Sequence, residues 1–223
     1  AAFYERGGRV DCLGSVPGSG ERQGSITIVS AISPPGGDFS EPVTQSSLRV
    51  AGAIWALDSD LAHRRHFPAV DWKRSYSLYM DTLDAWFREN VAADWPEIRK
   101  RLMAVLQKEE ELQEIVQLVG IDALQDPERI TLEVSRMIRE EFLRQSAFSE
   151  TDASCPPEKQ YWMARAFFTF FDLSEKRLGG GASIEEVLQS PFRGELTQMK
   201  EMPAAGFADG ARRLIAKMEK AAA

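Results

Sequence analysis

PPEKQYWMARAFFTFFDLSEKRLGGG, residues 156–181, decides the fold. Paired prolines suit a first helical turn, where a missing N–H costs nothing, and the three glycines at 179–181 end whatever they follow. Between them Tyr161, Trp162, Ala166, Phe167, Phe170 and Phe171 recur at helical spacing and predict a long helix with a core-facing stripe. Working back, Asp126 as N-cap with Pro127 at the first position opens another helix, whose inner face is Ile130, Val134, Met137, Ile138 and Phe142. Before it, Trp95 and Pro96 open a third, with Ile98, Leu102, Val105, Leu106, Leu112, Ile115, Val116 and Val119 at helical spacing and Gly120 closing it. Its KEEE run, Lys108 to Glu111, reads as a solvated face. Shorter helices are expected at 183–190, 193–201 and 206–220. The pattern predicts a mainly α chain whose last two thirds, residues 75–223, form an antiparallel helical bundle without an internal repeat.

The first part, residues 1–74, has a different texture. AAFYERGG resembles a helix end stopped by Gly7 and Gly8, as though cut from something longer, and 10–24 is a loose Gly, Ser and Pro-rich connection. SITIVSAI at 25–32 alternates and is β-branched, so it predicts a strand. PPGG at 34–37 ends it in a tight corner. A helix is expected over 45–63, with Leu48, Ala51, Ile54, Trp55 and Leu61 on its apolar face. Strand, corner and helix in this order predict the last portion of a parallel α/β layer.

The 223 residues carry 34 acids against 27 bases, a formal charge of -7, and the bases are scattered among the acids. That excludes a nucleic-acid interface, which needs clustered cations. No apolar run approaches the roughly 18 to 20 residues that cross a bilayer, so direct membrane insertion is not expected. Cys12 and Cys155 have no close-spaced partner and read as free thiols of a reducing cytoplasm. His63 and His66 lack a companion carboxylate or thiolate, so surface or capping roles are expected and no metal site.

Two further runs carry a resemblance. ISPPGGDFSEPVT at 32–44 and RRHFPAVDWKRSYSLY at 64–79 resemble the catalytic A subunit of the vacuolar and archaeal-type rotary ATPases. FYERGGRV at 3–10, MIREEFL at 137–143 and CPPEKQYWM at 155–163 extend the likeness over nearly the whole chain. The resemblance implies that residues 1–74 are the end of a RecA-like α/β nucleotide-binding domain. It further implies ATP or ADP with magnesium in the intact subunit, non-catalytic B subunits alternating with it in a hexameric ring, and central stalk subunits as partners. A proton- or sodium-translocating membrane sector would hold the assembly peripherally at the cytoplasmic face.

Site residues follow from the same resemblance. Phe67, with Pro68 beside it, matches the aromatic that stacks on adenine, and Gln145 and Phe148 match a stretch that closes the base pocket from the helical side. Asp38, Ser40 and Glu41 align with a stalk-touching loop of the F-type beta subunit. A capping role for Ser40 or Glu41 on the following helix fits the same residues. Asp122, Gln125 and Asp126 occupy the place of the F-type acidic lever that pushes the stalk; with Gln125 and Arg129 present, torque by shape and packing is expected over torque by charge. Non-catalytic subunits carry a finger arginine directly after the second serine of the signature; here the place after Ser77 is Leu78, as in subunits that receive the finger. Arg74 reads as a structural or surface residue.

No Gly-x-x-x-x-Gly-Lys-Ser/Thr loop occurs, and the glycine-rich 14–24 has no lysine and carries Glu21. No catalytic residue is therefore expected in this chain, no nucleotide is expected to bind it tightly, and it is not expected to turn over ATP alone. A different class of reading is a stand-alone helical interaction module derived from that subunit, which docks on a stalk or assembly factor and never meets ATP.

Overall fold

The computed structural model describes residues 2–14 and 22–221. The chain packs as two compact units, residues 1–55 with 75–79, and residues 56–74 with 80–223. Residues 56–74, read from sequence with the first part, pack with the second.

In the first unit, Tyr4–Arg6 form one 3-10 turn, closed by the Gly7 N–H on the Tyr4 carbonyl at 3.0 Å, where a longer helix end is expected. Strand β1 (Gly8–Asp11) follows at once and pairs antiparallel with β2 (Gln23–Ile26), Gly8 facing Ile26 and Asp11 facing Gln23. The expected connection at 10–24 thus starts and ends in a hairpin. Residues 15–21, most of the glycine-rich loop, lie outside the described residues. The strand expected over 25–32 stops at Ile26, because β1 ends opposite it and a strand lasts only while a neighbour exchanges backbone hydrogen bonds.

The PPGG corner is a 3-10 turn at Pro35–Gly37, with φ of 62° at Gly36 and 73° at Gly37, values open to glycine at no steric cost. Helix α1 (Pro42–Val50) then starts, and the continuous helix expected over 45–63 breaks. The chain extends into β3 (Ala53–Ile54), which pairs antiparallel with β4 (Tyr76–Ser77). Gly52 is the reason: its carbonyl accepts from the Leu78 N–H at 2.7 Å, and a Cβ there would run into the Tyr79 ring and hydroxyl. Trp55, expected on an apolar face, is exposed. Both sheets among the described residues are antiparallel, so the expected parallel layer is not formed within them.

The second unit opens with a narrow frame. The Asp71 N–H donates to the Ala56 carbonyl at 2.8 Å and the Asp58 N–H to the Ala69 carbonyl at 3.0 Å, around a Leu57 to Val70 bridge. Inside it sits α2 (Ser59–His63), capped by Asp58, which accepts from the Leu61 N–H at 2.8 Å. Helices α3 (Met80–Asn90), α4 (Trp95–Val119), α5 (Asp126–Met137), α6 (Pro157–Gly179), α7 (Ile184–Leu188), α8 (Phe192–Gln198) and α9 (Phe207–Ala221) follow. A π turn, Ile138–Leu143, continues α5, and a 3-10 turn, Met199–Glu201, continues α8.

The aromatic stripe of 156–181 does what its spacing demands. Helix α6 packs against α4, α5, α7, α8 and α9, and Phe167, Ala164 and Ala166 are fully buried among Ile130, Val134, Ile138 and Leu196. Phe142 and Trp162 pack against that core only in part.

Three local expectations change. The N-cap of α5 is Gln125 rather than Asp126: the Glu128 carboxylate accepts from the Gln125 N–H at 3.0 Å, which sets the helix start one residue early. Glu109, expected on a solvated face, is 4% exposed, ion-paired with Arg139 and accepting from Gln113 Nε2 at 2.8 Å. Beyond Leu112 the apolar row of α4 leaves the core, so Ile115 and Val119 are exposed, with Leu118 between them.

Candidate functional site

The expected base-contacting residues come from two loops of the second unit. Past α2, Arg65 takes a φ of 57° and the His66 N–H returns to the Leu61 carbonyl at 2.9 Å, which turns the chain sharply. That turn puts His66 inward and Phe67 outward. His66 is 5% exposed and tilted against the Trp72 ring at 5.8 Å, so the surface or capping role expected of it is corrected to a core one. Burial, reinforced by the Arg139, Arg144 and Arg64 charges, holds its imidazole below the ordinary histidine range, with Glu140 opposing. His63 is exposed in the last turn of α2. Phe67 is 52% exposed and joined to Pro68 by a cis peptide bond. Behind it, the Asp71 carboxylate accepts from the Lys73 N–H at 2.8 Å and pairs with Arg74 at 3.2 Å, which gives Arg74 a structural partner.

The second loop is tied to the first by its backbone: the Gln145 N–H donates to the Phe67 carbonyl at 2.7 Å. It then closes on itself around Asp152. That side chain is buried and accepts from the Ser146 N–H at 2.7 Å, while Gln145 Nε2 donates to the Asp152 carbonyl at 3.1 Å. Phe148 stands at the tip, fully exposed, its N–H on the Ser146 hydroxyl at 3.4 Å. The structure thus brings Phe67, Pro68 and Gln145 together, with Phe148 three residues on.

The residues expected to face a stalk fall into the two different units. In the first, the Asp38 carboxylate accepts from the Ser40 N–H at 2.8 Å, and bonds to Ser40 hold its pKa below the ordinary value. Glu41, not Ser40, caps α1, accepting from the Thr44 N–H at 2.8 Å and its hydroxyl at 2.9 Å; bonds to the Thr44 and Val43 N–H groups lower its pKa. In the second unit, Asp122 lies in the 3-10 turn Ile121–Ala123, Gln125 caps α5 and Asp126 opens it, with Arg129 at 3.9 Å from Asp126. Ile115, Leu118, Val119 and Ile121 are exposed beside them.

Asp152 and Lys159 are the functional candidates that sequence reasoning missed. Lys159 carried a legible signal: it stands four and eight residues before Met163 and Phe167, on the buried stripe of α6. Asp152 carried none, since nothing in a polar loop marks which carboxylate turns inward. A surface cleft of about 480 Å³ beside α2 is lined by Asp58, Asp60, Arg64, Asp71, Lys73 and Glu110, and much of its charge is already paired, Lys73 with Glu110 and Arg74 with Asp71. Among the described residues no group of three or more His, Cys, Asp or Glu side chains could hold a metal ion. Chemically the two loops offer flat exposed rings and backbone amides, suited to stacking on a base and not to gripping phosphate.

Two family models match the chain. Residues 1–77 match the model of the ATP synthase alpha/beta family, nucleotide-binding domain, and residues 84–188 that of the C-terminal domain of V and A type ATP synthase. The second A subunit of the A-type ATP synthase from Methanospirillum hungatei is 54% identical over 90% of this chain and 34% of its own length. The A subunit of the A-type ATP synthase from Methanopyrus kandleri is 53% identical over 91% of the chain and 34% of its own. The chain therefore spans about a third of the curated relatives it matches. A solved ATP synthase protein, NeqB of Nanoarcheaum equitans, superposes with a TM-score of 0.56 over 66% of this chain and 35% of that one; at 20% identity the likeness concerns the fold alone.

Proposed function

The chain belongs to the V and A type ATP synthase family, as the C-terminal region of the A subunit, and on that premise we propose that it supplies two surfaces of a catalytic rotary motor protein. One is the adenine side of the nucleotide pocket, formed by Phe67, Pro68, Gln145 and Phe148. The other is contact with the central stalk, through Asp38, Ser40 and Glu41 in one unit and, independently, through Asp122, Gln125 and Asp126 in the other. The intact subunit would hydrolyse or make ATP with magnesium, alternate with B subunits in a ring, and drive proton or sodium movement through a membrane sector. No helix among the described residues is long and apolar enough to cross a membrane.

The bond from the Gln145 N–H to the Phe67 carbonyl carries the first half, because it joins the two loops that the resemblance assigns to one base. The residues present fit a purine, offering exposed rings whose faces any base can stack on. They do not fit a magnesium triphosphate: the sequence has no phosphate loop, and Asp71, the acid nearest Phe67 in its loop, is engaged by Arg74 and the Lys73 N–H. The triphosphate grip must come from residues other than these 223.

Two measurements test this reading. The chain alone, given ATP and magnesium, is expected to release no phosphate above background, and robust turnover would overturn the division of labour. In the full subunit, once built into its ring with its partners, Phe67→Ala is expected to raise KM for ATP by about 5-fold or more, the loss of one stacked ring. An unchanged KM would remove Phe67 from the base.

A further inference from the structure

Lys159 is 3% exposed, and its ammonium group is not held by a carboxylate within hydrogen-bond reach among the described residues. Its three ammonium protons go instead to three backbone carbonyls: Thr151 at 3.1 Å, Lys200 at 2.7 Å and Met202 at 2.8 Å. The Phe207 ring lies 5.4 Å from the nitrogen. A buried cation is costly unless its protons are satisfied, and here the three carbonyls converge on it. Those carbonyls belong to two segments, the end of the Phe148 loop and the turn that closes α8. The lysine therefore clamps one to the other.

Two more bonds cross the same seam. The Glu201 carboxylate accepts from the Ser149 hydroxyl at 2.9 Å and the Thr151 hydroxyl at 3.3 Å. Asp152 closes the loop internally through the Ser146 N–H at 2.7 Å. Phe148, by contrast, is fully exposed at the tip. A ring without packing of its own has the position its backbone gives it, so the frame beneath decides whether it meets a ligand already in place or must be ordered on binding.

We propose that Lys159 is a positioning residue for nucleotide binding, acting through Phe148 by fixing the 145–152 loop to the 199–202 turn. This rests on the adenine-side reading of Phe148 above. It adds a residue on α6 that touches no nucleotide yet sets affinity for it.

The test uses the full subunit in its assembled ring, with ATP as the probe and four variants: Phe148→Ala, Lys159→Met, Glu201→Ala, and Lys159→Met combined with Phe148→Ala. Phe148→Ala and Lys159→Met are each expected to raise KM about 5-fold or more with kcat within about 2-fold, and the double variant to be no worse than the worse single. Glu201→Ala loosens the same seam from its exposed side and is expected to raise KM by a smaller factor; where Lys159→Met fails to assemble, this variant decides. If Phe148→Ala raises KM while both seam variants leave it unchanged, or if the double variant is additive, the positioning role is overturned and the adenine-side reading stands. If Phe148→Ala itself leaves KM unchanged, the reading falls and the inference with it.

Discussion

His66 shows what one residue's placement does to the whole. The fold buries it between the α2 turn and Trp72 with Arg64, Arg139 and Arg144 nearby, so the folded chain favours neutral imidazole, while the unfolded chain titrates near 6.5. The unfolded state then binds more protons over the interval below about 6.5, so stability falls as pH drops through it and is regained as pH rises. Urea unfolding at pH 7.5 and 5.5 is expected to show wild type losing more stability than His66→Gln over that interval; equal losses would mean the imidazole is not held neutral. The sequence did not reveal this burial, because a lone histidine after RR reads as a surface group until the chain turns back. Glu109 was hidden in the same way. In KEEE only its register relative to Leu102, Val105, Leu106 and Leu112 distinguishes it from its neighbours, and the Arg139 that makes its burial tolerable lies 30 residues away.

At the scale of elements, the helices of the bundle are legible, whereas the strands and the helix expected over 45–63 are not. Prolines, glycines and a period near 3.6 are local signals, and the α6 boundaries, Pro157–Gly179, follow from them. A strand needs a partner, and SITIVSAI kept its pattern while only Ser25 and Ile26 found one. The break near Gly52 was equally non-local, set by Tyr79 and the Leu78 N–H from beyond the second unit's first segment. Among candidate site residues, Phe67 and Phe148 are legible only through family likeness; no periodicity marks an exposed ring as a contact. Phe167 sets the energetic weight of the aromatic stripe. It is fully buried at the crossing of α6 with its neighbours, so Phe167→Ala removes a large side chain from a site with little room to collapse. A loss of about 3 to 5 kcal/mol is expected in chemical denaturation followed by circular dichroism. A loss below about 1 kcal/mol would mean that α6 is not the organising helix.

At the scale of the whole molecule, the far end of α4 bears on the proposed stalk contact. Helix α4 is 25 residues long, about 37 Å at 1.5 Å per residue, and its core contacts end near Leu112. Past that point Ile115, Leu118, Val119 and Ile121 are exposed, Leu118 at 83% and Val119 at 66%, next to Asp122, Gln125 and Asp126. Gln125 and Asp126 are already engaged at the start of α5, by the Glu128 cap and Arg129. Apolar side chains therefore offer more unspent contact than the acids do, which favours the proposed stalk contact working by packing. Leu118→Ser with Val119→Ser is expected to change the stability of the isolated chain by less than about 0.5 kcal/mol, since both side chains already face water. In the assembled complex the same pair is expected to weaken stalk binding about 10-fold, against less than about 3-fold for Asp122→Asn with Asp126→Asn, because burial of two aliphatic side chains outweighs solvated charges. Titration of stalk subunits onto the assembled ring reads both effects. The opposite order, a large loss from the asparagine pair and little from the serine pair, would establish charge as the carrier of torque and leave the apolar tip without a role in it.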